Sequence, residues 1–135
     1  MSRMPLETLP DILRRSPYHR LLRLEMVRAA PGEVVIRMPF HEDLLAGDDD
    51  LGRYVHGGAI ASLIDTAGDF AIIAAVGYDV PTIDLRIDFL RPAAKGMLTA
   101  TGRAIKAGRS LAVADVEVVG EDGKPVAVGR GVFKT

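Results

Sequence analysis

The sequence contains no cysteine and no tryptophan, and its net charge at pH 7 is only −1. The absence of cysteine excludes disulfides, thiolate nucleophiles and cysteine-ligated zinc or iron–sulfur sites. The balance of 17 basic and 18 acidic side chains argues against binding to nucleic acid or to acidic membranes. What remains is a chain of 135 residues that is 48% hydrophobic. That length and composition are typical of one globular domain, which we place at residues 1–135.

Long uninterrupted apolar segments are also missing. The N-terminal residues contain no apolar run of the kind that signal peptides have. The most apolar stretch, residues 59–76, is interrupted by Asp65 and Asp69. A membrane span needs roughly 20 predominantly apolar residues. We therefore expect a cytoplasmic protein without a membrane anchor.

The first 21 residues have the pattern of an amphipathic helical segment that precedes the core. Apolar residues recur at helical spacing from Leu6 to Leu13, and Ser16-Pro17 ends the run. We expect this segment to cover one end of the core, and a mobile lid over a ligand entrance is the alternative. The next elements are two strands and a long punctuated loop, at about residues 22–30, 33–38 and 39–55.

The most distinctive element is a helix that begins at His56-Gly57-Gly58 and runs to about Val76. It is apolar on nearly all sides, which is typical of a buried helix. Alternating polarity and Gly-containing turns then predict four antiparallel strands, the first starting at Thr82 and the others near residues 97–106, 110–119 and 126–134. The sequence thus predicts an α+β fold in which an antiparallel sheet surrounds a long central helix.

The start of this helix is a candidate site for an oxygen that carries partial negative charge. The first helical turn leaves backbone N–H groups without intrahelical partners, and the helix dipole makes that end electropositive. Gly57 and Gly58 have no side chains that would block approach to those amides. The structural alternative is that both glycines only permit a tight turn into the helix.

A polar stripe on the same helix offers a candidate acid–base group. Gly58, Ser62, Asp65 and Asp69 recur at steps of three and four residues, so they share one face of the helix. A carboxylate at Asp65 is costly in an apolar helix unless it is paired or faces a wet cavity. It is therefore either a structural cap or ion pair, or a general base or nucleophile that lines a cavity.

The spacing between these two features constrains how they act together. Gly57 and Asp65 are eight residues apart, which is about 12 Å along a helix at roughly 1.5 Å per residue. Catalytic groups must approach their target atom to about 3 Å. One helix cannot bring both groups to the same carbonyl, so a site that uses both requires two copies of the chain.

Four segments carry a family resemblance in their order and spacing. They are residues 56–65 (HGGAIASLID), 81–92 (PTIDLRIDFLRP), 107–111 (AGRSL) and 128–131 (VGRG). Together they resemble the hot-dog-fold acyl-CoA thioesterases of the PaaI-like group of the phenylacetate pathway, over about residues 20–134. The resemblance implies a sheet of five to six strands wrapped around the helix, homodimers that often pair into homotetramers, and hydrolysis of acyl-CoA without a cofactor.

The resemblance also implies roles for four residues. The Gly57 amide would polarise the thioester carbonyl, and His56 beside it would orient the substrate or the turn. Asp65 from the partner subunit would activate water or attack the carbonyl directly. Thr82 matches a small hydroxyl position that helps to hold the water.

Four other residues are candidates for substrate binding. Gly58 and Ser62 lie on the polar stripe beside the predicted site. Arg91 and Arg109 could contact the phosphates of CoA, because guanidinium groups bind phosphate well. Ordinary solvated surface charge is the alternative for both arginines.

Asp50 departs from the pattern of the family. It lies six residues before His56, where this group typically has an Asn whose amide can donate a hydrogen bond. An ionised Asp only accepts. Asp50 is therefore protonated when it contacts substrate, or the loop register differs from that of the family, or this contact is absent. The structural alternative is a solvated acidic loop at residues 48–50.

Other function classes are open at this point. His19, His41 and His56 show no metal-ligand spacing, so we expect no metal. A hot-dog hydratase or dehydratase for enoyl thioesters needs a His and a carboxylate that face one carbon, which the order of His56 and Asp65 on one helix does not suit. A non-catalytic acyl-CoA binding or sensing module would bind without releasing thiol.

Overall fold

A computed structural model gives the fold and describes residues 3–48 and 50–135. An N-terminal helical segment precedes two strands, a central helix and four further strands. The helices are α1 (Leu9–Arg15), α2 (Pro17–Leu21) and α3 (Gly57–Val76), with short 3₁₀ turns at Leu6–Thr8 and Glu42–Leu44. The strands are β1 (Glu25–Ala30), β2 (Glu33–Met38), β3 (Thr82–Phe89), β4 (Leu98–Ala107), β5 (Leu111–Val119) and β6 (Pro125–Lys134).

The six strands form one antiparallel sheet in the order β1-β2-β4-β5-β6-β3. Helix α3 packs across this sheet, against β2, β4, β5 and β6. The predicted α+β hot-dog architecture is therefore confirmed, with six strands. Strand β3 pairs with β6, the last strand of the chain, and forms one edge of the sheet.

Helix α3 is the centre of the core. By length and apolar composition (mean hydropathy 1.7) it could cross a membrane, but 61% of that apolar window is buried by the rest of the chain. Helix and sheet approach closely at Gly102, where a Cβ would lie 2.3 Å from the carbonyl oxygen of Ala67. The helix ends at Gly77, whose φ of 87° is the left-handed conformation that glycine adopts without strain.

The N-terminal segment packs over one end of the core. Leu9 and Leu13 of α1 are completely buried, and the Met4 amide donates to the Gly77 carbonyl at 2.7 Å. Helix α2 differs, because it buries none of its residues, and Leu21 is 62% exposed. The expectation of a covering segment is thus confirmed for α1, whereas α2 lies on the outside.

The first strand begins later than its sequence pattern predicts. Leu22 and Leu24 are buried on either side of the exposed Arg23, which imitates the alternation of a strand. However, Leu22 caps the end of α2, and Arg23 has a left-handed φ of 58°. The chain therefore turns out of α2 at these residues, and β1 starts at Glu25.

Candidate active site

The turn into α3 is held by the side chain that precedes it. Nδ1 of His56 accepts a hydrogen bond from the Gly58 amide at 2.8 Å, so His56 is the N-cap of the helix. The His56 carbonyl accepts from the amides of Ala59 and Ile60, at 3.0 and 3.3 Å. Of the two roles expected for His56, the structure supports orientation of the turn.

These bonds leave one free donor in the first turn of α3. The Gly57 amide has no hydrogen-bond partner among residues 3–48 and 50–135. The expectation that both glycine amides are available is wrong, because the His56 ring occupies the amide of Gly58. A single N–H group at an electropositive helix end is therefore available to an oxygen of a ligand.

An aromatic ring lies beside the free amide. A Cβ built at Gly57 would be 3.4 Å from the Phe89 ring, at the end of β3. Phe89 is 54% exposed, so its ring forms a wall next to the amide that a ligand can contact. Sequence reasoning missed Phe89 as a site residue, because its place in the alternation of β3 indicates only an inward-facing apolar position.

Asp65 lies in the middle of α3 and is oriented from the neighbouring edge strand. The Thr82 hydroxyl at the start of β3 donates to Oδ1 of Asp65 at 2.7 Å. Asp65 is half-buried and Thr82 is exposed. The structure thus brings together two of the four predicted catalytic residues and gives Thr82 a direct role, which is to orient the carboxylate.

The rest of the polar stripe is partly engaged in internal contacts. The Ser62 hydroxyl donates to the Gly58 carbonyl at 3.0 Å and lies 2.7 Å from the Tyr18 hydroxyl of α2. Tyr18 was not predicted, since nothing in the sequence indicates a contact between residues so far apart. Gly58 and Ser62 therefore build the helix start, and any contact they make with substrate stays a prediction.

Asp69 is the most perturbed acid of the stripe. Burial, together with the nearby carboxylates of Asp79 and Asp65, raises the pKa of Asp69 to about 8. Its Oδ1 atom is shielded from solvent and has no hydrogen-bond partner among the described residues. A neutral carboxyl group therefore lies one helical turn from Asp65 at pH 7.

Gly57 and Asp65 are far apart within one chain. Both belong to the same regular helix, and eight residues of helix span about 12 Å. The amide lies at the helix end, beyond reach of a substrate atom that touches Asp65 of the same chain. This geometry agrees with the spacing argument from the sequence.

The outlying candidates for substrate binding lie in turns and loops. Asp50 is exposed, and its amide donates to the Asp48 carboxylate in a local turn, while Asp49 lies outside the described residues. The Arg91 guanidinium donates to both carboxylate oxygens of Asp122, at 2.9 and 3.1 Å, and to two backbone carbonyls. Arg109 is exposed in the turn between β4 and β5. A role for each in substrate binding stays a prediction, and for Arg91 it competes with bonds inside the chain.

Two other features do not add to the site. A surface concavity of about 400 Å³ lies on the sheet and is lined by residues of β3 to β6, six of them charged. Arg130 and Asp115 there bind each other in a bidentate pair that lowers the pKa of Asp115. Within the part of the chain that the structure describes, no three acidic or histidine side chains cluster in a way that could hold a metal ion.

Comparisons with known proteins identify the family of this chain. A family model described as the thioesterase superfamily matches residues 52–127, which include α3 and both Gly57 and Asp65. The chain belongs to the thioesterase superfamily. Relatives of this chain are named acyl-CoA thioesterases and esterases, and the protein is accordingly a thioester hydrolase.

Individual relatives and solved structures agree with this membership. A Halobacterium salinarum protein that carries the name "putative esterase" is 42% identical over 78% of this chain and 76% of its own length. The acyl-coenzyme A thioesterase PaaI of Escherichia coli is 33% identical over 83% of this chain and 77% of its own. An X-ray structure of a thioesterase superfamily protein covers 96% of this chain and 97% of its own, at 34% identity and a TM-score of 0.89.

Proposed function

We propose that the protein hydrolyses acyl-CoA thioesters to a free acid and CoA, with each active site built from two subunits. The observation that carries this proposal is the free Gly57 amide at the start of α3, on the same helix as the Thr82-oriented carboxylate of Asp65. The similarity to PaaI supports CoA thioesters as the substrate class. The reaction needs water and, in this proposal, no metal or cofactor.

The first component is stabilisation of the oxyanion. The thioester oxygen gains negative charge as the carbonyl carbon becomes tetrahedral, and the Gly57 N–H donates to it at the positive end of the α3 dipole. A backbone amide held by a capped turn needs no reorganisation when this charge develops. One such donor contributes about 10²–10³ in rate.

The second component is the carboxylate. Asp65 of the partner subunit accepts a proton from water while the water oxygen attacks the carbonyl carbon. Collapse of the tetrahedral intermediate breaks the carbon–sulfur bond, and the sulfur leaves as CoA thiolate, which takes up a proton. Direct attack by the Asp65 carboxylate, followed by hydrolysis of the anhydride, balances equally and is the alternative course.

The free edge of the sheet supports assembly of two chains. Strand β3 is an edge strand, and its residues Ile83 and Phe89 are 55% and 54% exposed. An exposed apolar edge strand favours pairing with another strand. In the proposed homodimer β3 lies beside the partner's sheet, which also brings Thr82 and Phe89 to the interface. Further pairing into a homotetramer, and a cytoplasmic location, stay predictions.

The state of His56 argues against the hydratase alternative. Hydration of an enoyl thioester needs a histidine and a carboxylate that face one carbon. Nδ1 of His56 accepts a hydrogen bond from the Gly58 amide, so this nitrogen serves the helix start and has no lone pair free to take a proton from water.

A panel of acyl-CoA substrates tests the proposal. Release of free thiol is followed with a thiol-reactive dye, and the acyl product is identified by mass. We expect thiol release at a rate that saturates with substrate. Binding without thiol release would instead identify a sensing module, and an altered acyl chain with the thioester intact would identify a hydratase.

A further inference from the structure

A chain of hydrogen bonds leads from the surface helix α2 to the turn that opens α3. The Tyr18 hydroxyl lies 2.7 Å from the Ser62 hydroxyl, although the two residues are 44 positions apart in the sequence. The Ser62 hydroxyl in turn donates to the Gly58 carbonyl at 3.0 Å. Helix α2 buries none of its residues, so burial of this helix does not account for the contact between Tyr18 and α3.

The direction of both bonds follows from the chemistry of their partners. A carbonyl oxygen only accepts hydrogen bonds, so the Ser62 hydroxyl uses its one proton in the bond to Gly58. The oxygen of Ser62 is then the acceptor in its other bond, and the Tyr18 hydroxyl is the donor. Both bonds form together only in this arrangement, so the polarisation runs from Tyr18 toward the helix start.

The chain of bonds continues through two peptide groups to the free amide of Gly57. The Gly58 carbonyl belongs to the same peptide group as the Ala59 N–H, which donates to the His56 carbonyl at 3.0 Å. That carbonyl shares its peptide group with the Gly57 N–H. Hydrogen bonds in such a chain polarise one another, so each bond increases the partial positive charge on the Gly57 amide proton. We call this chain of bonds, from Tyr18 to the Gly57 amide, the relay.

We propose that Tyr18 is a positioning residue for thioester hydrolysis: its hydroxyl, acting through Ser62, strengthens the Gly57 amide as a donor to the oxyanion. The inference rests on the proposed function, in which that amide binds the thioester oxygen. Tyr18 needs no contact with the substrate for this role. The benefit grows as negative charge develops on the oxygen, so the relay acts on kcat more than on KM.

Removing one hydroxyl at a time tests the relay. Mutual polarisation strengthens each bond by about 10–30%, and one oxyanion donor contributes about 10²–10³ in rate. We therefore expect Tyr18→Phe to lower kcat for an acyl-CoA by about two- to fivefold, with little change in KM. Ser62→Ala should have the same effect, because it interrupts the relay one step later. Ser62→Thr keeps a hydroxyl at that position and should retain most of the activity.

Two controls separate polarisation of the amide from an effect on the fold. Tyr78→Phe removes a hydroxyl just beyond the other end of α3 and should leave kcat and KM unchanged. In a Gly57→Pro background the relay has no N–H at its end, so adding Tyr18→Phe should not lower kcat further. A loss of the same size in that background would show that Tyr18 acts on the substrate or on the fold, and would overturn the relay.

A spectroscopic measurement separates this inference from the proposed function. In protein that contains isotope-labelled glycine, Tyr18→Phe and Ser62→Ala should move the NMR signal of the Gly57 amide proton upfield, because this N–H is less polarised. Tyr78→Phe should leave that signal in place. An unchanged Gly57 signal, or an unchanged kcat in Tyr18→Phe, would overturn the role of Tyr18. Failure to release thiol from every acyl-CoA, with the shift of the Gly57 signal present, would overturn the proposed reaction and leave the polarisation of Gly57 standing.

Discussion

The two functional groups proposed on α3 differ in how the fold positions them. In the proposed mechanism, the functional group at the start of the helix is the Gly57 amide, in a turn that the His56 side chain caps. Eight residues later, the functional group is the Asp65 side chain, oriented by a hydroxyl from the edge strand β3. The backbone conformation around Gly57 determines the position of the first group. The second group depends on the identity of the side chain at Asp65. In this proposal, one helix supplies two complementary half-sites, which its own length keeps apart within one chain.

Removing the carboxylate should have the largest effect. Asp65→Asn keeps the size of the side chain and a hydrogen-bond acceptor for Thr82, but the amide cannot take a proton from water. We expect kcat to fall by about 10²–10⁴, with the Tm and the far-UV spectrum unchanged. Turnover of an acyl-CoA at the wild-type rate would show that Asp65 is not the base or nucleophile.

Removing the amide donor should have the next largest effect. Proline is tolerated at the first position of a helix, and it lacks the N–H group. The preceding residue, His56, has φ −58° and ψ 134°, which is a conformation that proline accepts in its neighbour. We expect Gly57→Pro to lower kcat by about 10²–10³.

The matched control for this substitution is Gly57→Ala, which adds a Cβ and keeps the N–H group. That Cβ would lie 3.4 Å from the Phe89 ring, an ordinary van der Waals contact. The alanine variant should lose much less activity than the proline variant. Equal losses in the two variants would mean that space beside Phe89, and not the amide, is what the glycine provides.

The pH dependence of stability tests whether Asp69, the last residue of the polar stripe, is buried as a neutral acid. Its folded-state pKa of about 8 lies above the ordinary aspartate value of 3.8, so the unfolded chain releases this proton first as the pH rises. The folded state is therefore progressively disfavoured between about pH 4 and pH 8. This loss in the free energy of unfolding amounts to about 2–4 kcal/mol between pH 5 and pH 8, and Asp69→Asn should remove it. Denaturant unfolding of both proteins at the two pH values checks it, and identical pH dependence would contradict the burial of Asp69 as a neutral acid.

Removing the N-cap at the start of α3 should have the smallest effect. His56→Ala removes the acceptor for the Gly58 amide, and we expect a loss of about 1 kcal/mol in the free energy of unfolding. His56→Asn should restore most of that loss, because asparagine is a good N-cap. Thermal or denaturant unfolding distinguishes the variants. An alanine variant as stable as wild type would show that the cap does not hold this turn.

Much of the fold follows from the sequence, because periodicity depends on local chemistry. The apolar character of α3 and the alternation in β3 identified both elements, and the spacing of Gly57 and Asp65 indicated two half-sites. The sheet order did not follow, since β3 pairs with β6 across a long sequence separation. The misplacement of the start of β1 came from burial of Leu22 at a helix end, which imitates strand alternation.

Sequence reasoning missed these site residues for one shared physical reason. Tyr18 and Phe89 reach the start of α3 only through tertiary packing, from α2 and from the end of β3. No local pattern marks such contacts. The occupied amide of Gly58 was missed for a related reason, because whether a histidine side chain folds back onto its own helix depends on its rotamer.

A subunit-mixing experiment tests the central claim most directly. Gly57→Pro and Asp65→Asn proteins are each inactive in the proposed mechanism. If every site takes Gly57 from one chain and Asp65 from the other, unfolding and refolding an equal mixture restores one intact site in each mixed dimer. With random pairing, we expect about a quarter of wild-type thiol release. A mixture as inactive as its two components, with mixed dimers verified by mass, would contradict the two-chain site.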